Sequence, residues 1–447
     1  MVPIWLKPME AWPQFERLKE SIRSLRGTTS MTGLSEVQKC HIVSSVLYPL
    51  EGCCLFITYN EMQANRVLDD LKFFFPEKIV LFPTREIMLY NAAAHSHEVM
   101  GQRLSVLERL AAGEKLIVVA SIDALMIPNM PIDVFREAVF QLQEGEEYPP
   151  QGLTKKVVEI GYERVHTVEG RGQFSLRGGI FDIFPRTSER PYRIDFFDEF
   201  VDSIRSFDPL SQRSEDRVKV VTISPAKDLI LKEKELKAGI TEIERSLHQL
   251  IQKMHKDADF DKERLESRIE HLLEDINSGV MEDVLFNYYP FFYEKTSTIL
   301  DYAGKNALII LDEPSRIREH SQAASDEFAE HFKDLLIKGE VLPEQSRLYG
   351  SYSDLLVNMN NYKGMALQAL PKGNIGFEPK RVYQVASRTI PAYHGKMELL
   401  AEDIKYWKSK GYAILLLSGN RLKGEGLIST LSDYGLDAII RSNAEGD

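Results

Sequence analysis

The chain has 447 residues, a length that suggests three domains at about 150 residues each. Hydrophobic residues make up 43% of it, charged residues 27%, and there are three cysteines. These proportions are typical of globular proteins and exclude a disordered chain, a collagen-like repeat and a disulfide scaffold. The 67 acidic residues outnumber the 55 basic ones, which gives a net charge of −12. A protein that coats DNA is usually basic, so the overall charge does not support nucleic-acid binding.

Targeting and metal-binding signals are weak. No apolar run reaches the ~18 residues that a membrane-spanning helix needs. The first residues, MVPIW, lack the basic start and long apolar stretch of a signal peptide. Cys53 and Cys54 are adjacent and form no CxxC pair. His95 and His97 have no third ligand at a suitable spacing, so no metal is expected. These features predict a cytoplasmic protein.

From about residue 33 to residue 124, strand and helix patterns alternate. Continuous apolar runs, typical of strands buried on both faces, are found at 53–58, 79–82 and 116–120. Helical patterns lie between them at 61–74 and 98–112, and in the second of these Leu104, Leu107, Leu110 and Ala111 share one face. Strand–helix–strand order predicts a parallel sheet with right-handed crossovers.

The pattern changes after Pro131. Short alternating segments at 162–208, separated by turn residues, predict a small antiparallel β insert. The charged stretch at 226–279 predicts a helical hairpin with solvated faces. An aromatic cluster at 288–293 and a strand at 307–311 follow, and the tail reads as a helix at 396–410, a strand at 412–417, a second helix and an apolar run at 438–440.

These patterns predict an α/β fold in four segments. They are a parallel-sheet lobe at 1–130, a mostly antiparallel β insert at 131–225, a helical and strand region at 226–350 and a small α/β domain at 351–447. The chain stops soon after the last apolar run, and we expect it to be part of a longer protein.

A degenerate nucleotide site is predicted in the first lobe. The window at 33–40 (GLSEVQKC) keeps the first glycine of a phosphate loop, Gly33, and its lysine, Lys39. The second glycine is replaced by Gln38 and the magnesium-binding hydroxyl by Cys40, whose soft sulfur suits magnesium poorly. The acidic half of such a site is matched by Asp312 and Glu313 at the end of a strand. We expect a relic that binds ATP poorly; an ordinary strand–loop–helix with a capping serine is the alternative.

The block at 172–185 (GQFSLRGGIFDIFP), with 191–198 (PYRIDFFD) and 204–208 (IRSFD), resembles the module shared by the excinuclease subunit UvrB and the transcription-repair coupling factors (Mfd). Residues 83–86 (PTRE) and 119–125 (VASIDAL) fit the same pair. The resemblance covers roughly the first three-quarters of the chain and implies a RecA-like lobe with a partner-binding insert.

Two departures favour the coupling factors over UvrB. UvrB carries an intact phosphate loop, and it inserts a long aromatic hairpin where this chain has the short connection 87–95. The small domain after about Arg381 also fits the coupling factors. In that family an RNA-polymerase-interacting domain and a DNA translocase motor follow, and we expect both to lie outside this chain. No cofactor is expected for this segment, because ATP is used by the motor of the full-length family member.

The resemblance implies an adaptor whose β insert binds the excinuclease subunit UvrA, through residues that match Arg177, Arg193 and Phe197. Strand alternation agrees for two of them, since a core-facing Ile194 places Arg193 and Phe197 outward. An outward Phe beside an Arg is typical of interface hot spots. In the alternative interpretation, Phe197 packs beneath the following turn and Arg193 forms a surface ion pair. In the family this surface is held against the motor end, which implies an intramolecular partner for it.

Two other functions stay open. An active UvrB-type helicase would bind ATP tightly, and a direct DNA-binding module would bind duplex DNA in a salt-sensitive manner. The aromatic cluster at 288–293 could stack bases, but an aromatic plug between lobes is the preferred interpretation. We expect no catalytic residue in this segment.

Overall fold

The computed structural model describes residues 5–24, 27–48, 52–87, 89, 97–254, 260–278, 283–371, 378–385, 390, 393–418 and 421–440. Within them the strands are β1 Gly27–Thr32, β2 Cys54–Thr58, β3 Ile79–Phe82, β4 Ile117–Ser121, β5 Phe140–Gln143, β6 Glu163–Arg164, β7 Gln173–Arg177, β8 Ile180–Ile183, β9 Tyr192–Phe197, β10 Phe200–Phe207, β11 Ser214–Val218, β12 Val220–Ile223, β13 Leu308–Asp312, β14 Lys363–Gln368 and β15 Arg381–Gln384.

The helices of the described residues are α1 Lys7–Glu10, α2 Phe15–Ser24, α3 Glu36–Leu47, α4 Glu61–Lys72, α5 His97–Ala111, α6 Ile122–Met126, α7 Ile132–Ala138, α8 Pro150–Glu159, α9 Glu233–Met254, α10 Lys262–Asn277, α11 Tyr289–Phe292, α12 Ile299–Ala303, α13 Pro314–Ile337, α14 Tyr352–Met359, α15 Met397–Ser409 and α16 Arg421–Asp433. Two 3-10 helices lie at Asp283–Tyr288 and Pro343–Leu348. None of these helices is both long and apolar enough to cross a membrane.

The first lobe is built on a seven-stranded parallel sheet in the order β15-β1-β14-β13-β2-β4-β3. Strand β2 shows why its sequence is apolar throughout: Leu55 and Ile57 enter one hydrophobic cluster, while Cys54 and Phe56 enter another on the opposite face. The predicted parallel α/β lobe is confirmed. Its three predicted strands are β2, β3 and β4, and the two predicted helices are α4 and α5.

The division of the chain into four continuous segments does not follow this sheet. Strand β1 pairs with β14 on one side and with β15 on the other, and β13 lies between β14 and β2. Strands from the three predicted segments 1–130, 226–350 and 351–447 therefore share one sheet, while the β insert leaves it between β4 and β13.

The β insert has a sheet of its own in the order β11-β10-β9-β8-β7-β6. Its pairs are antiparallel except β6 with β7. Strands β5 and β12 lie where the chain enters and leaves the insert. They form an antiparallel pair in which Leu142 lies opposite Val221. The predicted mostly antiparallel insert is confirmed.

The predicted helical hairpin is formed by α9 and α10. The aromatic segment at 288–293 is buried beside it: Tyr288, Phe291 and Phe292 join the hairpin core, whereas Tyr289 and Tyr293 join the core of the main lobe. The segment therefore links two cores, as the aromatic plug predicts. Its buried rings are not placed to stack on bases.

The tail differs in part from its prediction. Helices α15 and α16 pack together through Leu400, Ile404 and Leu431. The predicted strand 412–417 and the apolar run 438–440 have no strand pairing in the described residues. A strand needs a hydrogen-bonded neighbour, and Leu417 and Ile439 are exposed instead of packed. The strand prediction for 412–417 is therefore wrong for this structure.

Candidate functional site

The degenerate phosphate-loop motif at 33–40 begins with a tight turn between β1 and α3. Gly33 has a φ of +85°, and a Cβ atom there would lie 2.2 Å from the carbonyl oxygen of Val385, so only glycine fits. The backbone N and Oγ of Ser35 each bond to the Oε1 atom of Gln38, at 2.9 Å. Gln38, which takes the place of the second phosphate-loop glycine, therefore caps the start of α3.

Lys39 is buried and all its hydrogen-bonding capacity is used within the chain. Its Nζ atom lies 2.7 Å from Asp312, 2.8 Å from Glu313 and 3.0 Å from Glu36. An ammonium group has three donors, and here each has a carboxylate. Burial acts to lower the pKa of Lys39, but the two strand-end carboxylates outweigh it and the pKa is raised. The structure thus brings Lys39 together with Asp312 and Glu313, the acidic residues of the predicted degenerate site, and adds Glu36 where a triphosphate would lie.

The acidic side of the pocket is also engaged. Gln63 donates from Nε2 to Glu36 at 2.7 Å and to Asp312 at 3.1 Å, and the backbone N of Ala369 donates to Glu313 at 2.7 Å. Burial raises the pKa of Asp312 although Lys39 opposes the shift. The carboxylate oxygens of Glu36, Asp312 and Glu313 lie within 4.8 Å of one another, and Lys39 supplies the cation of this group.

Cys40 does not face the pocket as a magnesium ligand would. Its side chain is buried in the core on one face of the sheet, and its Sγ atom lies 3.6 Å from Oδ2 of Asp70. Burial raises the pKa of the thiol, with Asp70 acting in the same direction. A protonated thiol is a weak donor and a poor ligand for a hard cation.

In the β insert, Arg177 and Phe197 lie at neighbouring hairpin tips. Arg177 ends β7 and Phe197 ends β9, so both belong to the same end of the sheet. The tips are in contact, because the backbone N of Phe196 donates to the carbonyl of Gly179 at 2.7 Å. A Cβ atom on Gly179 would lie 2.9 Å from the carbonyl oxygen of Phe196, which explains a glycine there.

Phe197 is 77% exposed, with Ile180 and Phe200 also exposed beside it. The hairpin that carries it is held by a third segment: the backbone N of Tyr148 donates to the carbonyl of Glu199 at 2.7 Å. The alternative in which Phe197 packs beneath its turn does not describe this structure. We call Arg177, Ile180, Phe197 and Phe200 the tip surface.

Arg193 is not the freely exposed residue that strand alternation predicts. Its side chain is only 17% exposed and binds the buried carboxylate of Asp182 twice, from Nε at 2.7 Å and from Nη2 at 3.0 Å. Its Nη1 atom donates to the carbonyl of Gln212 at 3.1 Å, and its guanidinium lies over the ring of Phe207. The outward face of β9 is partly covered by these groups, which strand periodicity cannot reveal.

Asp182 is the site residue that the sequence reading missed. It is buried, lies opposite Arg193 in the register of β8 and β9, and also accepts from Nη2 of Arg177 at 3.0 Å. Arg177 remains 42% exposed. The signal that identifies Asp182 is its register opposite Arg193. The sequence leaves this register unspecified, because a long connection separates the two strands.

The structure describes only Ile87 and Leu89 of the connection 87–95. The prediction for His95 therefore lies outside the described residues.

Comparisons with known proteins agree with this architecture. Residues 140–229 match the family model of the UvrB interaction domain, and this range contains strands β5 to β12. The chain is 34% identical over 414 residues to the transcription-repair-coupling factor of Bacillus subtilis, which aligns 92% of this chain with 35% of that protein. Similar relatives are the factors of Staphylococcus aureus strain Mu50, 28% identical over 418 residues, and Staphylococcus epidermidis strain RP62A, 27% identical over 412 residues.

The chain spans about a third of the length of the curated relatives it matches, 35% for the Bacillus subtilis and Staphylococcus aureus proteins and 34% for the Staphylococcus epidermidis protein. Their similarity extends over more than nine-tenths of this chain, far beyond the 140–229 domain. The parallel-sheet lobe and the β insert together are thus what the relatives share with it. The match of the 140–229 domain and the similarity over 92% of the chain support its interpretation as the N-terminal, UvrB-like region of a transcription-repair-coupling factor.

Proposed function

We propose that this chain is a recruiting adaptor of transcription-coupled nucleotide excision repair, which binds UvrA in the cytoplasm through the tip surface of its β insert. The observation that carries the proposal is the exposure of Phe197, 77%, on a hairpin held by its neighbours. Phe197 forms an exposed apolar group with Ile180 and Phe200, and contiguous exposed apolar groups are typical of interaction sites. Phe197 and Arg177, at neighbouring hairpin tips, provide the aromatic and guanidinium groups that dominate interface energies.

In the proposed contact the two arginines, Arg177 and Arg193, have different roles. Arg177 keeps exposed N–H groups for an acidic or carbonyl group of UvrA, whereas Arg193 has its donors directed at Asp182 and Gln212. Arg193 is therefore a positioning residue in this proposal: it fixes Asp182, and Asp182 fixes Arg177. The apolar part of the contact extends from Phe197 to Ile180 and Phe200.

The proposal assigns no ATPase activity to this segment. Lys39, which would neutralise phosphates in a working site, is paired with Asp312, Glu313 and Glu36. An incoming triphosphate would have to break these ion pairs and approach three carboxylates. Contacts with RNA polymerase and DNA, and ATP-driven translocation, are proposed for other regions of the full-length relatives. Within those proteins we propose that the motor end covers the tip surface until the motor engages.

A titration of the chain with UvrA, with and without ATP, tests the contact. Arg177→Glu and Phe197→Ala should each weaken binding by about 30-fold, the size expected for a hot-spot residue. Matched controls lie in the turn at the other end of β10: Leu210→Ala, at a side chain that is 93% exposed, and Arg213→Glu. Both controls should bind as the parent does. Unchanged affinity in both tip-surface variants would reject the assignment, and tight salt-sensitive binding to duplex DNA in place of UvrA would favour the DNA-binding alternative.

A further inference from the structure

A small cavity lies where the parallel-sheet lobe meets the segment that leaves the β insert. It is lined in part by Arg85 from the loop after β3, Arg103 from α5, Asn129 from the loop after α6 and Asp228 from the loop after β12. Arg85, Arg103 and Asn129 are each at least nine-tenths buried. The cavity has room for about one water-sized occupant.

The cavity has more positive than negative charge. Arg85 pairs through Nη1 with Asp228 and lies over the ring of Phe286, 3.6 Å from its centroid. Among the described residues, Arg103 has no carboxylate partner: Nη1 donates to the carbonyl of Pro83 at 2.6 Å and Nη2 to Oδ1 of Asn129 at 2.8 Å. Burial lowers the pKa of Arg103 to about 10, with Asp228 opposing and Arg85 adding to the shift. Arg103 therefore stays charged at neutral pH, and two guanidinium groups share one carboxylate.

Two hydrogen-bond donors on the lining have no partner in the part of the chain that the structure describes. They are Nε of Arg85 and Nδ2 of Asn129, both buried. The orientation of the Asn129 amide is fixed, because its oxygen accepts from Arg103 and the reverse orientation would place two donors face to face. The backbone of Asn129 is fixed as well, by two hydrogen bonds to Ser297 of 2.7 and 3.1 Å. Unpaired buried donors are costly.

We infer that this cavity binds one monovalent anion of halide size, chloride in the cell, held by Arg85 and Asn129 and balancing the charge of Arg103. An anion accepts from every donor and offers none, which matches a lining whose unpaired groups are all donors. A water molecule would satisfy the donors but leave the excess charge. The ion would link the lobe to the insert, because Arg85 and Asp228 come from the two sides of that junction.

Two measurements on the full chain test this site. Crystals grown with bromide should show an anomalous peak between Arg85 and Asn129. The thermal unfolding midpoint should be about 2 °C higher in about 0.15 M sodium chloride or bromide than in sodium gluconate of the same ionic strength, because gluconate is too large to enter.

The variant Asn129→Asp supplies the negative charge within the chain, so its midpoint should no longer depend on the halide. Asn358→Asp, at an exposed position on α14, is the matched control and should keep the full halide effect. Absence of the anomalous peak, or a halide effect equal in Asn129→Asp and the parent, would overturn the proposal. If Asn129→Asp does not fold, the bromide peak in the parent protein decides: a peak without any midpoint shift is binding at crystal concentration only and also overturns it.

Discussion

The carboxylate of Asp182 and the guanidinium of Arg193 form a two-point ion pair across neighbouring strands, at 2.7 and 3.0 Å. Asp182 is buried and Arg193 largely so, so the pair is part of the structural core of the β insert instead of its outer surface. Loss of UvrA binding on mutation of Arg193 would therefore be expected even without direct contact.

Arg193→Ala should lower the free energy of unfolding by about 3 kcal/mol, because it leaves the buried Asp182 with only the partly exposed Arg177. Phe197→Ala should change this free energy by less than about 0.5 kcal/mol, since the ring is exposed. Urea unfolding of the two variants beside the parent makes the comparison. An Arg193→Ala chain as stable as the parent but unable to bind UvrA would make Arg193 a contact residue instead.

Gly179→Ala should reduce UvrA affinity by about tenfold without touching a contact side chain. The new methyl group would lie 2.9 Å from the carbonyl oxygen of Phe196, so the two hairpin tips must separate and Arg177 moves away from Phe197. Gly178→Asn is the control. Gly178 has a φ of +62° that Asn tolerates, with nothing within 4 Å of an added Cβ atom. Equal affinities for the Gly179→Ala and Gly178→Asn variants would show that tip spacing is unimportant.

Lys39→Met should leave nucleotide affinity as poor as in the parent, because the lysine is already paired with Asp312, Glu313 and Glu36. Fluorescent ATP binding measures this directly. A marked fall in ATP affinity in the variant would indicate a functioning phosphate loop and favour the helicase interpretation.

The same variant should lose stability in a pH-dependent manner. Burial already raises the pKa of Asp312, and removing Lys39 removes the main opposing effect. A carboxyl group whose pKa is higher in the folded than in the unfolded state loses stability as pH rises through the folded value. The destabilisation of Lys39→Met relative to the parent should therefore grow as the pH rises from the ordinary carboxyl pKa towards and through the raised folded-state pKa of Asp312. Urea midpoints across this range measure it, and a pH-independent difference would contradict the assigned ion pairs.

Tyr289→Phe should leave the stability unchanged or raise it by up to about 1 kcal/mol, because the buried hydroxyl of Tyr289 has no hydrogen-bond partner among the described residues. Tyr302→Phe is the matched control. Its hydroxyl donates to the carbonyl of Met130 at 2.9 Å, so its loss should cost about 1 kcal/mol. Thermal unfolding distinguishes them, and an equal loss in both would mean that a buried water serves Tyr289.

Local patterns predicted the elements well where burial dominates. The apolar run that becomes β2 is continuous because the sheet is covered on both faces, and the sequence of the β insert carries its short alternating strands. Pairing between distant segments could not be predicted in this way. The position of β1 between β14 and β15, and the failure of 412–417 to join a sheet, depend on neighbours far along the chain.

The candidate sites show the same division. A partial phosphate-loop motif and an acidic pair at a strand end place Lys39, Asp312 and Glu313 in one predicted site, and the structure brings these three side chains together. Strand alternation alone predicts an outward Arg193. Its burial depends on Asp182 and Gln212. The position of Asp182 follows from strand register, and that of Gln212 from a turn beyond β10. Chemistry that depends on register lies beyond what side-chain periodicity can predict.

The strand order of the sheets also determines when each strand can pair during translation. Strand β1 is synthesised first but waits for β14 and β15, more than three hundred residues later, before either of its edges is covered. The strands of the β insert all lie between residues 163 and 218 and have no such wait. During translation the insert can therefore acquire its native sheet while the lobe around it is still open, and both edges of β1 stay exposed to non-native pairing in the meantime.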